Sequence, residues 1–540
     1  MRGRAFLYSF VVIVIIIAVQ GFSFFSNDDV VVVPRKSIEK ETGREIESAF
    51  GAITNLIPTP CHIVTRNGYR VYRVCQYDKD GHYNGTLPIN NVHDYTSYAS
   101  NIRIVFIRDD AKPIGGVSKK DIIHKFELSS SHDLFILKSK ANDLLVNKEF
   151  VKTNDIIKNQ YGICWHITRR QQEGRYLNIG LKHTREISSY VRSGLYLKSY
   201  LKRNDSKLKE TDVEWYDNIV KTLKTNNLNW LPTVAAFEDY REKDITKSMI
   251  RNYGKWLTLF ASHFKNDIKY WEVGNEMDLY QRNLGWSDKF VVDIYETAYK
   301  AIKKGNPNAK VMIGGLCIHN DAYIDMLLRK KCWSYFDILN FHAYPTSSNV
   351  EMHIVDKMTR LRKISSRSGR EMPIWFTEAG LSTYKASEDE QANVIGRSLL
   401  TSLALGVDKI FIYNLRDLSS ATNVKERHFG LLDSELSKTK LAFKVYKTIN
   451  ALCPCGSTRP LLSKHKSLFI ARWYDNEGRI VDAFWATGKE PIKVKFQNLE
   501  PNTEIFNCLG NRMKINSKET QIDNHIIYIR NCDNLKISEM

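Results

Sequence analysis

The chain has 540 residues, 43% hydrophobic and 11% aromatic, which is enough for large cores and excludes wholesale disorder. Its formal net charge is +19, from 79 Lys and Arg against 60 Asp and Glu. The basic residues are scattered, as at Lys300, Lys303 and Lys304, without the clustered stripe and interleaved aromatics of a nucleic-acid surface. Nucleic acid is therefore excluded as a partner, and an acidic polysaccharide or a membrane surface remains compatible with the charge.

Arg2 and Arg4 precede an apolar run from Ala5 to Val19 that is broken only by Ser9. This pattern in residues 1–25 predicts an export signal, or an N-terminal membrane anchor if it is not cleaved. In either case the expectation is an exported chain: secreted, periplasmic or at the cell surface. Nine cysteines permit disulfides outside the cytoplasm, and sequence proximity suggests Cys61 with Cys75 and Cys508 with Cys532. Cys453-Pro454-Cys455 lacks partners at zinc-ligand spacing, so the sequence predicts no metal and no cofactor.

Residues 30–155 hold short β-type runs, such as Gly68–Val74 and Ile102–Ile107, between Asp, Gly and Asn clusters, and predict a β-rich accessory domain. The texture changes across residues 158–452, where strands alternate with helices. The strands are expected at Tyr161–Ile167, Ser189–Leu197, Leu228–Phe237, from Tyr270 to Glu276, Lys310–Gly315, Phe336–Tyr344, from Pro373 to Glu378, and Lys409–Asn414. Between the third and fourth, Ile245, Met249, Tyr253, Trp256, Leu257 and Phe260 recur at helical spacing and make one buried stripe. Ser387 and Glu390 form a capping box that starts a helix ending at Gly406. This alternation predicts a (β/α)8 TIM barrel. Residues 456–540 return to β-type runs and predict a C-terminal β-sandwich.

Two of the barrel strands end in a carboxylate. Tyr270-Trp271-Glu272-Val273-Gly274 runs into Asn275-Glu276, and Pro373-Ile374-Trp375-Phe376-Thr377 runs into Glu378. A parallel barrel delivers all its strand tips to one rim, so the two carboxylates can face each other across a cleft, and paired carboxylates are the machinery of glycoside hydrolysis. Glu272 shares strand parity with Glu276 but lies roughly 13 Å below the rim at the usual strand rise, which makes it a buried partner. The second Asn-Glu pair, Asn476-Glu477, falls in a turn-forming Asp-Asn-Glu-Gly stretch.

Trp271–Glu276 resembles the acid/base signature of clan A retaining glycoside hydrolases, and Trp375–Glu378 resembles their nucleophile strand. Phe341-His342-Ala343-Tyr344-Pro345 is similar to the strand-six His-x-Tyr element of that clan, and Arg192 stands where the clan carries a strand-two arginine. Within the clan, family 39, a barrel with a β-sandwich, is the nearest resemblance. It implies that Glu378 is the nucleophile and Glu276 the acid/base, with a raised pKa, and that Arg192 and Tyr344 hold Glu378 ionised. It further implies that Asn275 donates to the sugar 2-hydroxyl and that His342 orients this group of residues.

Trp165 and His166, at the end of strand one, are further candidates for lining the sugar site. The chain departs from the clan at strand eight, where many members carry a tryptophan floor and this sequence reads Ile412-Tyr413-Asn414, so Tyr413 is the candidate floor. Glu426–Leu432 still resembles the clan's return segment. The expected activity is retaining hydrolysis of a β-linked oligo- or polysaccharide. The competing readings are a glycan-binding or envelope-scaffold protein on the same barrel, and a transglycosylase using the same covalent intermediate.

Overall fold

The computed structural model describes the strands between residues 32 and 138 and nearly all of residues 156–539; residues 168–174, 206, 318–321, 371, 419–423, 489 and 516–518 are outside the description. The chain forms two compact units, residues 1–134 with 365–371 and residues 135–364 with 372–540. Leu137–Lys138 pairs in parallel with Ser463–Lys464 of the second unit. The apolar run of residues 5–19 lies outside the described residues, among which no helix is long and apolar enough to cross a membrane.

The first unit is antiparallel. One sheet runs Val32–Ile38, Glu45–Thr54, Asn101–Arg108, Tyr69–Tyr77, Tyr83–Leu87, with Ile57–Pro58 also on Asn101–Arg108; the other runs Asp94–Ser97, Cys61–Thr65, Ile123–Leu128. Alternation of apolar and polar residues in these runs suits sheets with one buried face, and Ile53 is fully buried.

The second unit holds eight parallel strands: β1 (Tyr161–Cys164), β2 (Tyr190–Tyr196), β3 (Asn229–Ala235), β4 (Tyr270–Val273), β5 (Lys310–Ile313), β6 (Leu339–Ala343), β7 (Ile374–Ala379) and β8 (Lys409–Ile412). Each pairs with the next, β8 pairs with β1, and bridges from Met312 to Ile338 and from Leu316 to Phe341 join β5 to β6, which closes the barrel. The strands are buried almost throughout, as expected of a parallel sheet covered by helices. The helices are α1 (Arg175–Ile187), α2 (Glu210–Thr225), α3 (Lys247–His263), α4 (Met277–Leu284), α5 (Asp288–Gly305), α6 (Ala322–Arg329), α7 (Val350–Ser368), α8 (Glu388–Ala404) and α9 (Leu441–Leu452). The α3 stripe is buried as its spacing requires, from Met249 through Phe260, and the Ser387–Glu390 capping box opens α8.

Two sheets follow. The first orders β9 (Leu461–His465), β10 (Leu468–Tyr474), β11 (Ile480–Ala486), β15 (Ile527–Arg530) and β13 (Glu504–Phe506); the second orders β14 (Thr520–Ile522), β12 (Ile492–Gln497) and β16 (Lys536–Glu539). Leu468, Ile470 and Phe484 of one sheet pack on Val494, Phe496 and Ile522 of the other, so this is a sandwich. Cys508 and Cys532 are unpaired, contrary to the pairing suggested by their proximity; Cys61 of the other suggested pair has its side chain outside the described residues.

The sandwich and barrel share one core. Trp473 and Trp485 belong to the barrel's apolar cluster, and the buried Arg397–Glu351 pair also takes a 2.8 Å hydrogen bond from Trp485 Nε1 to Glu351 Oε1. At the surface His525 lies 3.0 Å from Asp523 and 3.0 Å from Asp389 of α8. Hydrogen bonding to Asp523 raises its pKa to about 9, against the opposing effect of burial and with further support from Asp389. A folded-state pKa above the unfolded value of about 6.5 gives stabilisation that is complete below that pH and lost as pH rises through about 9. Chemical denaturation of wild type and His525→Gln should therefore show a stability gap at pH 6 that closes by pH 10; a gap that is constant across the range would contradict this.

Candidate active site

The rim formed by the C-terminal ends of the strands opens into a cleft of about 600 Å3, lined by His166, Arg192, Asn275, Glu276, Tyr344, Glu378 and Tyr413 among others. The backbone places the first carboxylate by a sharp change of direction after β4. Gly274 adopts φ +76°, which a side chain would oppose, and Glu276 itself lies in the left-handed region at φ 49°, ψ 46°. A 2.9 Å hydrogen bond from Glu276 N–H to the Gly315 carbonyl holds this turn.

The second carboxylate is placed by irregular pairing of β7. Its register shifts against β6 between Phe341 and His342, and against β8 between Phe376 and Ala379. Neighbours on a regular strand face opposite ways, but here the adjacent Thr377 and Glu378 both reach the interior network. The shift also sets His342 directly opposite Glu378.

Arg192 joins the layers. Its Nε and Nη2 donate to Glu272 at 2.6 and 3.1 Å, its Nη1 to Glu378 Oε1 at 2.7 Å, and its Nη2 to Asn275 Oδ1 at 2.7 Å. Glu272, fully buried, also accepts from Thr233 (2.7 Å), Gly315 N–H (3.1 Å), Asn340 (2.8 Å) and Thr377 (2.8 Å). Burial acts to raise the Glu272 pKa, but Arg192, the nearby His342 and the Thr233 hydroxyl hold it below the usual carboxylate value. Tyr344 hydroxyl donates to Glu378 Oε2.

His342 is 2% exposed and stands between the carboxylates, its Nδ1 2.9 Å from Glu276 Oε1 and 3.5 Å from Glu378 Oε2. Its Nε2 is 3.3 Å from Thr377 Oγ1, and a Cβ on Gly315 would come within 1.9 Å of that nitrogen, so only glycine fits there. Burial works against protonation of His342, but Glu378 and Glu276 outweigh it and raise its pKa. For Glu276 the direction differs from the sequence expectation of a raised pKa. Burial does raise it, but the hydrogen bonds from His342 and Cys317 prevail and the carboxyl is held below its ordinary value.

Tyr413 lines the cleft and packs edge-on against His166 (5.8 Å) and Phe429 (5.5 Å), and Phe429 packs likewise on Tyr344 (5.5 Å). Trp165 differs from the expectation. It is 2% exposed and turned into the core over α1, where a Cβ on Gly180 would come within 2.4 Å of its ring. The eight other expected site residues are brought together.

Some participants lie outside the sequence reading. Thr233, Asn340 and Thr377 are polar residues in apolar strands, a legible signal of an internal network. Glu238 follows β3 as Glu378 ends β7, lines the cleft, and has its pKa raised by burial to about 7. Cys317 carried no signal; with Glu276 and His342 it places three potential metal-ligand atoms within 4.8 Å of one another, where the sequence predicts no metal.

Residues 182–406 match the family model for cellulase, glycosyl hydrolase family 5. Among curated proteins none matches. Among solved structures, a family 39 glycoside hydrolase from Bacteroides cellulosilyticus WH2 superposes with TM-score 0.57 at 13% identity, covering 88% of this chain and 99% of that one. A family 39 β-xylosidase from Caulobacter crescentus gives TM-score 0.51 at 16% identity, covering 70% and 98%. The family match falls on the segment carrying Arg192, Glu276, His342 and Glu378, so the barrel is an O-glycosyl hydrolase domain of the clan A type. Within that clan, the fold of barrel and flanking β-structure is shared with family 39 structures.

Glu272 is the buried counter-charge of Arg192, and its removal leaves that charge under-compensated. Glu272→Ala should cost about 3–5 kcal/mol of stability in denaturant unfolding. A loss under about 1 kcal/mol would show that Arg192 does not depend on it.

Proposed function

We propose that this protein is a retaining glycoside hydrolase of β-linked glycans. The observation that carries the reading is the position of His342 Nδ1, 2.9 Å from one carboxylate oxygen and 3.5 Å from the other. Carboxylates that both reach one imidazole nitrogen suit the close pair of a retaining enzyme, roughly 5–5.5 Å apart, better than the roughly 6.5–9.5 Å at which an inverting pair admits water, and so they support direct attack.

Glu378 is the nucleophile. Arg192 and Tyr344 occupy its two oxygens, stabilise the carboxylate and fix its plane, leaving a lone pair for the anomeric carbon. Glu276 is the acid/base: it passes a proton to the departing oxygen and later takes one from the water that releases the covalent sugar. A sugar in the cleft excludes water from Glu276 and adds to the burial that opposes the lowering by His342 and Cys317, moving the carboxyl toward the acid form. Because Asn275 Oδ1 accepts from Arg192, its amide nitrogen is oriented as a donor for the sugar 2-hydroxyl. Tyr413, set against Phe429, serves as the floor of the site.

β-Linked substrates are supported by the clan resemblance and by the β-xylosidase from Caulobacter crescentus whose fold is shared. The cleft lining does not favour an acidic polymer. Arg192 is committed to Glu272 and Glu378, Lys198 is paired with Asp239 at 2.6 Å, and Lys425 is outweighed by Glu238, Asp239, Glu276, Glu378 and Glu426, which also line the cleft. Neutral polysaccharide is the preferred class, and the basic-then-apolar segment of residues 2–19 supports degradation of it outside the cytoplasm.

Turnover of aryl β-glycosides should fall by orders of magnitude in both Glu378→Ala and Glu276→Ala. Azide should then rescue Glu378→Ala with an inverted glycosyl azide and Glu276→Ala with a retained one. Activity surviving in either variant would place the chemistry on other carboxylates.

A further inference from the structure

Cys317 follows β5 at the barrel rim and neither attacks the sugar nor transfers a proton in the hydrolytic mechanism. It is half-buried, and its backbone is clamped on both sides: its N–H donates to Asp278 Oδ1 at 3.2 Å, and its carbonyl accepts from Lys357 Nζ at 3.3 Å. Its thiol faces the Glu276 carboxylate. A carboxylate oxygen of Glu276, the Cys317 sulfur and a ring nitrogen of His342 all lie within 4.8 Å of one another, on segments following β4, following β5 and within β6.

This is a sulfur, nitrogen and oxygen donor set, the kind that suits borderline-soft divalent cations and does not suit Mg2+ or Ca2+. Metal–ligand bonds of about 2.0–2.3 Å in a tetrahedral site set neighbouring donors roughly 3.3–3.8 Å apart. His342 Nδ1 and Glu276 Oε1, at 2.9 Å, are nearer than that, and no pair of the three donors is more than 4.8 Å apart. The second layer is also in place. His342 Nε2 sits 3.3 Å from Thr377 Oγ1, which is tied to Glu272 and Asn340, so the ring is oriented through its other nitrogen in the way of metal-binding histidines. Glu378 Oε2, 3.5 Å from His342 Nδ1, adds a second negative charge beside the position a cation would take. Glu276 lines the cleft, which leaves a fourth coordination position open to solvent.

We propose that Glu276, Cys317 and His342 form a binding site for Zn2+-class cations. On binding, the thiol proton and any proton on Nδ1 leave to solvent, and the cation is held by thiolate, neutral imidazole and carboxylate. Occupancy withdraws Glu276 from proton transfer, so the ion is a reversible inhibitor. This consequence rests on the hydrolytic reading, whereas the binding itself does not.

The test is titration of the full, chelator-treated chain with Co2+, read by absorption, followed by displacement with Zn2+. One equivalent of Co2+ should bind with a thiolate-to-cobalt charge-transfer band. Cys317→Ser should abolish the band and weaken binding more than about tenfold, while Cys455→Ser and Cys508→Ser retain both. Absence of the band in wild type, its persistence in Cys317→Ser or its loss in Cys455→Ser would overturn the site. In parallel, Zn2+ should suppress glycoside turnover in wild type and do so less in Cys317→Ser, each relative to its own metal-free rate. Undiminished turnover in a Zn2+-loaded wild type would overturn the inhibitory role. A protein that binds Co2+ through Cys317 but hydrolyses nothing would keep the metal site and count against the hydrolytic reading.

Discussion

A guanidinium buried inside a parallel barrel is the constraint on which the site depends. Arg192 is 5% exposed, and a charge so removed from water is tolerated only when oppositely charged, hydrogen-bonding partners surround it. Glu272 meets that requirement from below and Glu378 from above, with Asn275 completing the fork. The three acceptors lie on or just beyond β4 and β7, so a single residue of β2 fixes both sides of the cleft. Glu272 is in turn held by side chains of β3, β6 and β7 and by the backbone after β5. The network is satisfied from every direction, which makes it rigid and specific.

That rigidity explains how the rim is built. Catalysis by paired carboxylates needs two groups held at short range in defined orientations, a geometry that solvated side chains on mobile loops would not keep. Here Glu378 is 8% exposed and both of its oxygens are engaged, while Glu276 has a side chain 24% exposed whose carboxylate is held by His342 and Cys317. In the proposed mechanism the carboxylate that forms a bond is thus the locked one, and the one that exchanges protons with substrate and water is the accessible one. The proximity of Cys317 to that accessible group is the basis of the soft-cation site proposed for the same corner.

Much of this was legible in the sequence because the signals were periodic or abrupt. Buried parallel strands read as apolar runs, and those ending in Glu276 and Glu378 stand out because a charge interrupts the run. The buried stripe of α3 and the capping box of α8 follow from spacing alone. What escaped depended on contacts distant in sequence. The short helices α4 and α6 have too few turns to show a period. Trp165 sits at a strand tip like a cleft residue, but the absence of a side chain at Gly180 opens a slot that draws the ring inward. The lowered pKa of Glu276 depends on His342, 66 positions away, and on Cys317; neither partner can be inferred from the strand that carries Glu276. The register shifts of β7, which turn Thr377 and Glu378 to the same side, are a property of the pairing and leave no mark in the residue pattern.

The central claim is that the two carboxylates act by double displacement at close range. The most direct test is to follow the anomeric proton of the first-formed sugar by NMR during hydrolysis of an aryl β-glycoside by the intact protein. The account predicts that the β-anomer appears first and then mutarotates. Initial appearance of the α-anomer would mean single displacement by water, and would contradict the roles assigned to Glu378 and Glu276.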